Sequence, residues 1–455
     1  MAINKELFAS LANDNKNLVP FSDTEDGNVL DWLPTLSPQV DATMMGGIPL
    51  SGKATEIFGS PSVGKSTVVA ELLKNAQKLG LAVIYFDTER TTSNTRLKQL
   101  GVDPNYVLTM QPTQNRDGSI TPLTVEDIFD TMISTMAEVH SKDPKQHILF
   151  VWDTVAMTQP RMIAEKDIGS QTVGQQARAL TEGIRKLNDN MVKNGGALIA
   201  LNQERADMSG GFISEPTTIG GYGWIHEMSL RLYLSKGKKI TVSSTDKTKI
   251  GQGIYIKFIK SKVGDNDGAR AEGAILKDTG FDLNYNLYKE AEDKGLITGT
   301  QYKIYVTDNG EEIKYRAKDW LSFLHKRDVD LDKLKQANDK AKVANKKLAK
   351  QNEKAKNPVP LYKELNADQF KKVGELKQQA NEVFTEIFQK LIKQDFPTCY
   401  PPLFNKNIEL TDEEFPFLKG LRDYYIKIQE GLDEDDQHTN YRIWKQSHEA
   451  SKRKK

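Results

Sequence analysis

The chain has 455 residues, with 63 Lys plus Arg against 62 Asp plus Glu, for a formal charge of +1. That length fits about two to three domains of roughly 100–200 residues each, and the near-zero charge excludes a histone-like polycation held to DNA by bulk charge, although a locally basic groove can sit inside a balanced total. The lone Cys399 and six scattered histidines exclude an intramolecular disulfide and a thiol-based zinc site, which disfavours the oxidising secreted class.

The opening, MAINKELFASLANDNKNL, lacks a signal-peptide core, and no run approaches the roughly 20 apolar residues of a membrane span, so a soluble cytoplasmic protein with no membrane partner is expected. Residues 1–48 carry polar clusters (NDNKN, SDTEDGN) and predict a short helix plus a tether. From about 54 to 263, the runs ATEIF, LAVIYFD, HILFVWD and ALIALN alternate with the amphipathic stretches STVVAELLKNAQKLG and ARALTEGIRKLNDNMVKN. Strands alternating with helices of this length predict an α/β fold with a largely parallel sheet covered on both faces. SLRLYLS and GIYIKFIKSKV extend that sheet, giving a core over 49–280. A small α/β subdomain follows over 281–327, where an Asp-Asn-Gly turn joins KIYVT to EEIKYRA. Residues 328–360 read as a charged solvated helix or linker, and 361–455 as a helical module ending in the basic tail SKRKK. Between Lys326 and Lys356 there are 11 basic and 5 acidic residues, 11 − 5 = +6, so the neutral total conceals segregated charge.

The strongest local signal is Gly59-Ser60-Pro61-Ser62-Val63-Gly64-Lys65-Ser66, followed by Thr67, between a strand and a helix. It matches G-x-x-x-x-G-K-[ST], a loop whose backbone N–H groups and helix dipole cradle phosphates. Its Lys65 reaches the β and γ phosphates, and its Ser66 hydroxyl takes a place on Mg²⁺. This pattern predicts ATP and Mg²⁺ as cofactors. Asp153 ends the buried run HILFVWD and is the expected second metal anchor. Glu89, just past LAVIYFD, is either the group that orients and deprotonates the attacking water or a surface capping carboxylate, and spacing alone does not choose.

The order of these strands, with TVAMTQPRMIAEKDIGSQTVGQQARALTEGIRKLNDNMVKNGGALIALNQ and then QERADMSGGFISEPTTIGGYG, resembles the RecA family of recombinases over roughly residues 40–325. GVDPNYVL and GFDLNYNLYKEAEDKGLI resemble its phage branch, typified by UvsX. The resemblance implies a RecA-type P-loop ATPase core with two DNA-binding loops. It gives Glu89 the water-activating role and makes Gln203 the sensor that couples γ-phosphate to the adjoining loop. Arg178 and Arg185, two helical turns apart on one face, coincide with family positions on DNA phosphates, as does Arg205. Gly210, Gly211, Gly220 and Gly221 fall where the second loop orders against DNA, Phe212 lies in the same loop, and Met208 takes the place of an apolar wedge between base triplets. Lys260 and Lys262, alternating on a strand, match the basic pair extended onto a neighbour's ATP.

Three departures accompany the resemblance. Arg96 stands where relatives stack a tyrosine on adenine, so the nucleobase contact is either made by a guanidinium plane or weak. His226 replaces an interfacial aromatic, and Asp167, Asp207 and Glu215 make the loops less basic, which implies modest DNA affinity or reliance on accessory proteins. The implied activity is ATP-dependent strand exchange by a helical filament on single-stranded DNA, in which residues 1–48 serve as an oligomerisation segment that docks on the neighbouring core. Its partners are homologous duplex DNA, further copies of the chain, a single-strand-binding protein and a recombination mediator, in a host cytoplasm if the gene is a phage's. Two rivals are a hexameric helicase on the same core and an inactive paralogue acting as a mediator. The short N-terminal extension and the Lys-Ser-Lys pair weigh against the first, and intact Lys65, Ser66, Glu89, Asp153 and Gln203 against the second.

Overall fold

The computed structural model of the chain describes residues 32–395 apart from 36, 45–46, 51, 79, 145, 165–173, 206–215, 242–246, 264–267, 278 and 353–359. Met208, Gly210, Gly211, Phe212, Asp167, Asp207, Glu215, the first 31 residues and everything after 395 therefore lie outside the described residues.

Continuous apolar runs bounded by turns make strands buried on both faces, and they supply the centre of a ten-stranded sheet. Its strands are β1 (Ala54–Gly59), β2 (Ala82–Asp87), β3 (Val107–Met110), β4 (Ile148–Asp153), β5 (Gly196–Arg205), β6 (Leu230–Thr241), β7 (Lys249–Ser261), β8 (Arg270–Leu276) and β9 (Gly280–Phe281). Their order is β9-β8-β7-β6-β1-β5-β4-β2-β3, with Thr217–Thr218 pairing onto the end of β5. From β6 through β3 the pairings are parallel, and β6 to β9 are antiparallel, so the two late runs extend the sheet as expected.

Helix α1 (Lys65–Lys78) covers one face of the sheet, with Val69, Leu72 and Leu73 packed on Ile57, Val151 and Leu201. The helices α2 (Asn94–Gln99), α3 (Val125–Lys142), α4 (Gln175–Asn194) and α5 (Gly221–Glu227) follow in the chain. On the other face, α3 and α4 bury Phe129, Met132, Leu180 and Ile184 around Trp152 and Trp224. α3 starts in a reciprocal cap between Thr124 and Asp127. α4 buries Leu180, Ile184, Leu187 and Met191 at helical spacing and stops at Gly195, whose φ of 73° an L side chain resists.

The N-terminal boundary needs correcting. Residues 32–48 are no tether, because Leu33, Val40, Met44 and Ile48 belong to the same hydrophobic core as α1, and Asn75 Nδ2 donates to Pro34 O at 2.9 Å.

The C-terminal part comprises α6 (Leu283–Asp293), β10 (Tyr302–Val306), β11 (Glu312–Arg316), α7 (Ala317–Leu324), α8 (Leu331–Asn352) and α9 (Ala367–Asp395). The boundary drawn between 281–327 and 361 onward runs through one core. Leu287, Tyr305, Ile313 and Trp320 share it with Ala380, Phe384, Ile387 and Phe388 of α9. A polar clamp reinforces it, with Tyr305 Oη donating to Glu386 at 2.6 Å and Lys390 Nζ donating to the same carboxylate at 2.7 Å. The charged stretch after 328 is the 22-residue helix α8. Its Asn338 and Asn345 each bond both ways with the backbone of an extended strap. Asn338 exchanges hydrogen bonds with Leu365 at 2.8 and 3.0 Å, and Asn345 with Tyr362 at 2.7 and 2.8 Å. Among the described residues no helix is long and apolar enough to cross a membrane.

Candidate active site

Parallel strands deliver their C-terminal ends to one edge, where open α/β sheets bind ligands. In the order β1-β5-β4-β2, that edge carries Gly59, Gln203, Asp153 and Asp87, with Gly59 beside Gln203 and Asp153 beside Asp87 in register. The residues singled out along about 140 positions of sequence are thereby gathered into one cluster.

The loop from Gly59 to Ser66 turns tightly. Gly59 has φ 153° and lies so close to β6 that an added Cβ would sit 2.2 Å from Leu234 O, so glycine is required there. Lys65 Nζ donates to Gly59 O at 2.9 Å and Ser60 O at 3.1 Å, which parks the ammonium across the loop. Burial lowers its pKa, opposed by the charges of Asp153 and Glu89. Thr67 follows in the first turn of α1, and Val63 is buried beneath the loop.

Asp153 Oδ2 accepts from Ser66 Oγ at 3.1 Å and from Tyr85 Oη at 2.6 Å. Burial raises the pKa of this carboxyl, against hydrogen bonds from Tyr85 and Ser66 that favour the charged form. A hydroxyl and a carboxylate converging in this way are hard oxygen donors suited to Mg²⁺, an ion that takes its other ligands from phosphate and water. Among the described residues no cluster of three or more acidic, His or Cys side chains forms a self-sufficient metal cage.

Glu89 is half-buried, and its Oε1 accepts from Gln203 Nε2 at 3.3 Å. Burial and the neighbouring Asp153 raise its pKa, and Gln203 and Lys65 pull the other way, a balance that suits a proton acceptor. The capping alternative for Glu89 thus gives way to a position inside the cluster. Arg96, on α2, donates to Lys277 O at 2.7 Å and Gln99 Oε1 at 2.9 Å, and lines a cavity with Ser66, Thr67 and Tyr85.

Lys260 and Lys262 are placed elsewhere. Because β7 runs antiparallel to β6, its C-terminal end meets Leu230 and Arg231, which pair with Thr55 and Glu56 at the start of β1. The pair therefore sits at the opposite edge from its own phosphate loop. A register shift falls between Phe258 and Lys260, and the strand ends at Ser261, one residue before Lys262, whose N donates to Ser229 O at 2.7 Å. Lys260 Nζ donates to Ile225 O and His226 O at 2.7 and 2.8 Å, at the end of α5.

On the solvent side of α4, Arg178 pairs with Glu182 at 2.9 Å and Arg185 with Glu227 at 3.3 Å. Arg205 is exposed at the tip of β5 opposite Thr217. Gly220 and Gly221 serve packing at the start of α5, since a Cβ on Gly220 would meet Trp224 at 2.6 Å and one on Gly221 the Ala177 Cβ at 3.2 Å.

Sequence reasoning missed a buried network behind the site. Glu56, 0% exposed, accepts from Arg231 Nε at 2.6 Å, Asn202 Nδ2 at 2.8 Å and Trp224 Nε1 at 2.9 Å. Arg231 also reaches Thr218 Oγ1 at 3.1 Å, and Asn202 Oδ1 accepts from Gln203 N at 2.9 Å. The signal available was a glutamate in the middle of ATEIF, an otherwise buried strand.

A family model described as the RecA N-terminal domain matches residues 14–282. The chain is similar to Protein RecA of Thermotoga neapolitana, 31% identical over 287 residues that cover 62% of this chain and 76% of the relative. It is also 29% identical to Protein RecA of Lactobacillus johnsonii over 295 residues, 64% of this chain and 76% of that one. Against Protein RecA of Tropheryma whipplei it is 29% identical over 295 residues, 64% and 62% of the two chains.

Proposed function

The chain belongs to the RecA family, and from that premise we propose that it is a DNA-dependent ATPase of the phage branch that polymerises as a helical filament on single-stranded DNA and exchanges strands with homologous duplex in recombination and repair. The observation that carries this reading is the 3.3 Å contact from Gln203 Nε2 to Glu89 Oε1. Gln203 lies two residues before Arg205, where the expected second loop begins, so one residue joins the candidate base to the root of a candidate DNA segment. An amide drawn to a γ-phosphate oxygen releases Glu89 to accept a proton from water and shifts the loop root at the same time, which links hydrolysis to DNA binding.

Lys65 binds the phosphates by giving up its bonds to Gly59 O and Ser60 O, and Ser66 and Asp153 would hold Mg²⁺. When bound, that ion neutralises charge developing on the phosphate oxygens. Lys260 and Lys262, at the far edge of the sheet, have no path to their own phosphate loop, which supports their service to a neighbour's nucleotide and makes hydrolysis depend on assembly. Arg178, Arg185 and Arg205 would take DNA phosphates, together with Met208, Gly210, Gly211 and Phe212 of the second loop. Arg178 and Arg185 must first leave Glu182 and Glu227, so DNA affinity is modest, falls with salt and gains from a single-strand-binding protein and a mediator.

The test is electron microscopy of the full chain with a non-hydrolysable ATP analogue and single-stranded DNA, alongside DNA-stimulated ATP hydrolysis. Helical filaments and stimulated turnover are expected; closed rings alone, or turnover indifferent to DNA, would overturn the proposal.

A further inference from the structure

One hydroxyl at the metal carboxylate has no part in the reading above. Tyr85, on β2, is buried in the core beneath α1, and its Oη lies 2.6 Å from Asp153 Oδ2, the same oxygen that accepts the Ser66 hydroxyl at 3.1 Å. Its own oxygen accepts from Thr92 Oγ1 at 3.4 Å, so the phenol proton is directed at the carboxylate. The two donors on Oδ2 differ in their prospects. Ser66 begins α1 within the phosphate loop, and its hydroxyl is the group a magnesium ion would claim. Tyr85 comes from β2, the strand paired with the β4 strand that carries Asp153, and its ring is held by packing in the core beneath α1.

We propose that Tyr85 is a positioning residue for Asp153: it keeps Oδ2 occupied and the carboxylate plane fixed when Ser66 turns to the metal, and thereby sets the Mg²⁺ concentration the site needs to bind nucleotide. The proposal rests on the reading of this edge as a nucleotide and Mg²⁺ site. Its physical basis is that ligating carboxylates are themselves hydrogen-bonded, and that loss of such an outer partner typically costs about 10–100-fold in metal affinity. A Phe at this position keeps the ring in its core and deletes only the donor. A polar-tipped aromatic inside the apolar run LAVIYFD is the trace this leaves in the sequence.

The experiment is titration of MgCl₂ into full-length protein with N-methylanthraniloyl-ADP, following nucleotide fluorescence, for the wild type and Tyr85→Phe. The half-saturating Mg²⁺ concentration should rise about tenfold in Tyr85→Phe, with binding restored at saturating Mg²⁺ and an unchanged melting profile. In an Asp153→Asn background the same substitution should add no further shift, because the two side chains act as one unit. An unchanged or lower half-saturation point in Tyr85→Phe, beside a normal wild-type titration, overturns the role of Tyr85. An equal shift in both backgrounds overturns it as well, since it assigns the effect to packing. A wild type whose nucleotide binding ignores Mg²⁺ overturns the reading of the site itself, and the Tyr85 proposal with it.

Discussion

Replacing Arg231 by Met should break the buried network that ties Glu56 of β1 to Thr218. The guanidinium is 5% exposed and its partner Glu56 is 0% exposed, with Nε to Oε2 at 2.6 Å and the cation 4.7 Å from the centre of the Phe58 ring. Methionine matches the stem but leaves Glu56 charged, buried and reduced to the donors Asn202 and Trp224 on its other oxygen. Removing one partner of a buried pair costs about 3–5 kcal/mol, a large part of the roughly 5–15 kcal/mol that a domain has. Urea unfolding followed by tryptophan fluorescence reads this directly, because Trp224 donates to Glu56 and stands edge-on to Trp152 with centroids 6.1 Å apart. Adding Glu56→Gln removes the stranded charge while keeping an acceptor for Trp224, so the double variant should recover to within about 2 kcal/mol of wild type. DNA stimulation of hydrolysis should fall more than basal hydrolysis in the double variant, since Thr218 loses Arg231 in both. A loss below about 1 kcal/mol in Arg231→Met, or a double variant less stable than the single, would refute the reasoning, because either result means that the buried charge was not the cost.

Glu89→Gln should retain nucleotide binding and lose about 10²–10⁴-fold in turnover, measured by phosphate release; equal turnover in both proteins would remove Glu89 from the chemistry. His325 is held between Leu321 O at 2.7 Å and Asp282 Oδ2 at 3.0 Å. Burial alone would depress its pKa, but the hydrogen bond and charge of Asp282 outweigh it and raise the value above 6.5. A raised folded-state pKa contributes stability fully present below about 6.5 and lost as pH rises through the folded value, so a wild type minus His325→Asn difference in melting temperature should shrink from pH 6 to pH 8. Asn338→Ala should free the strap at Leu365 and cost about 1–3 kcal/mol, with new proteolytic cleavage near 360–366; an unchanged cleavage pattern would show that the strap is held by other contacts.

The strands and the phosphate loop were legible because each is a local pattern. Apolar runs such as HILFVWD report burial on both faces, and Gly59 through Ser66 is fixed by what a backbone needs in order to wrap phosphate. Arg178 and Arg185 were legible as one helix face, and Glu182, four residues after Arg178, as a neighbour on it, but the sequence carried no sign that Glu227 holds Arg185, because Glu227 comes from a different element. At the N-terminus, polarity suggested a tether up to 48. The apolar residues Leu33, Val40, Met44 and Ile48 stand seven, four and four positions apart, a spacing one face can carry, but their partners on α1 and the sheet are distant in the chain. The same holds for α9, whose apolar stripe has the pattern of a separate helical module but completes the core around Trp320.

The sequence by itself determined which residues could do chemistry, since side-chain type and local spacing are enough to mark Lys65, Ser66, Glu89, Asp153 and Gln203. Only the tertiary structure decided which of them meet. Strand order places Gln203 beside Gly59 and Asp153 beside Asp87, while antiparallel β7 carries Lys260 to the opposite edge. Order and direction in a sheet come from which apolar faces bury together across long separations, so the contacts of Tyr85 with Asp153 and of Glu56 with Arg231 could not be read from either strand alone.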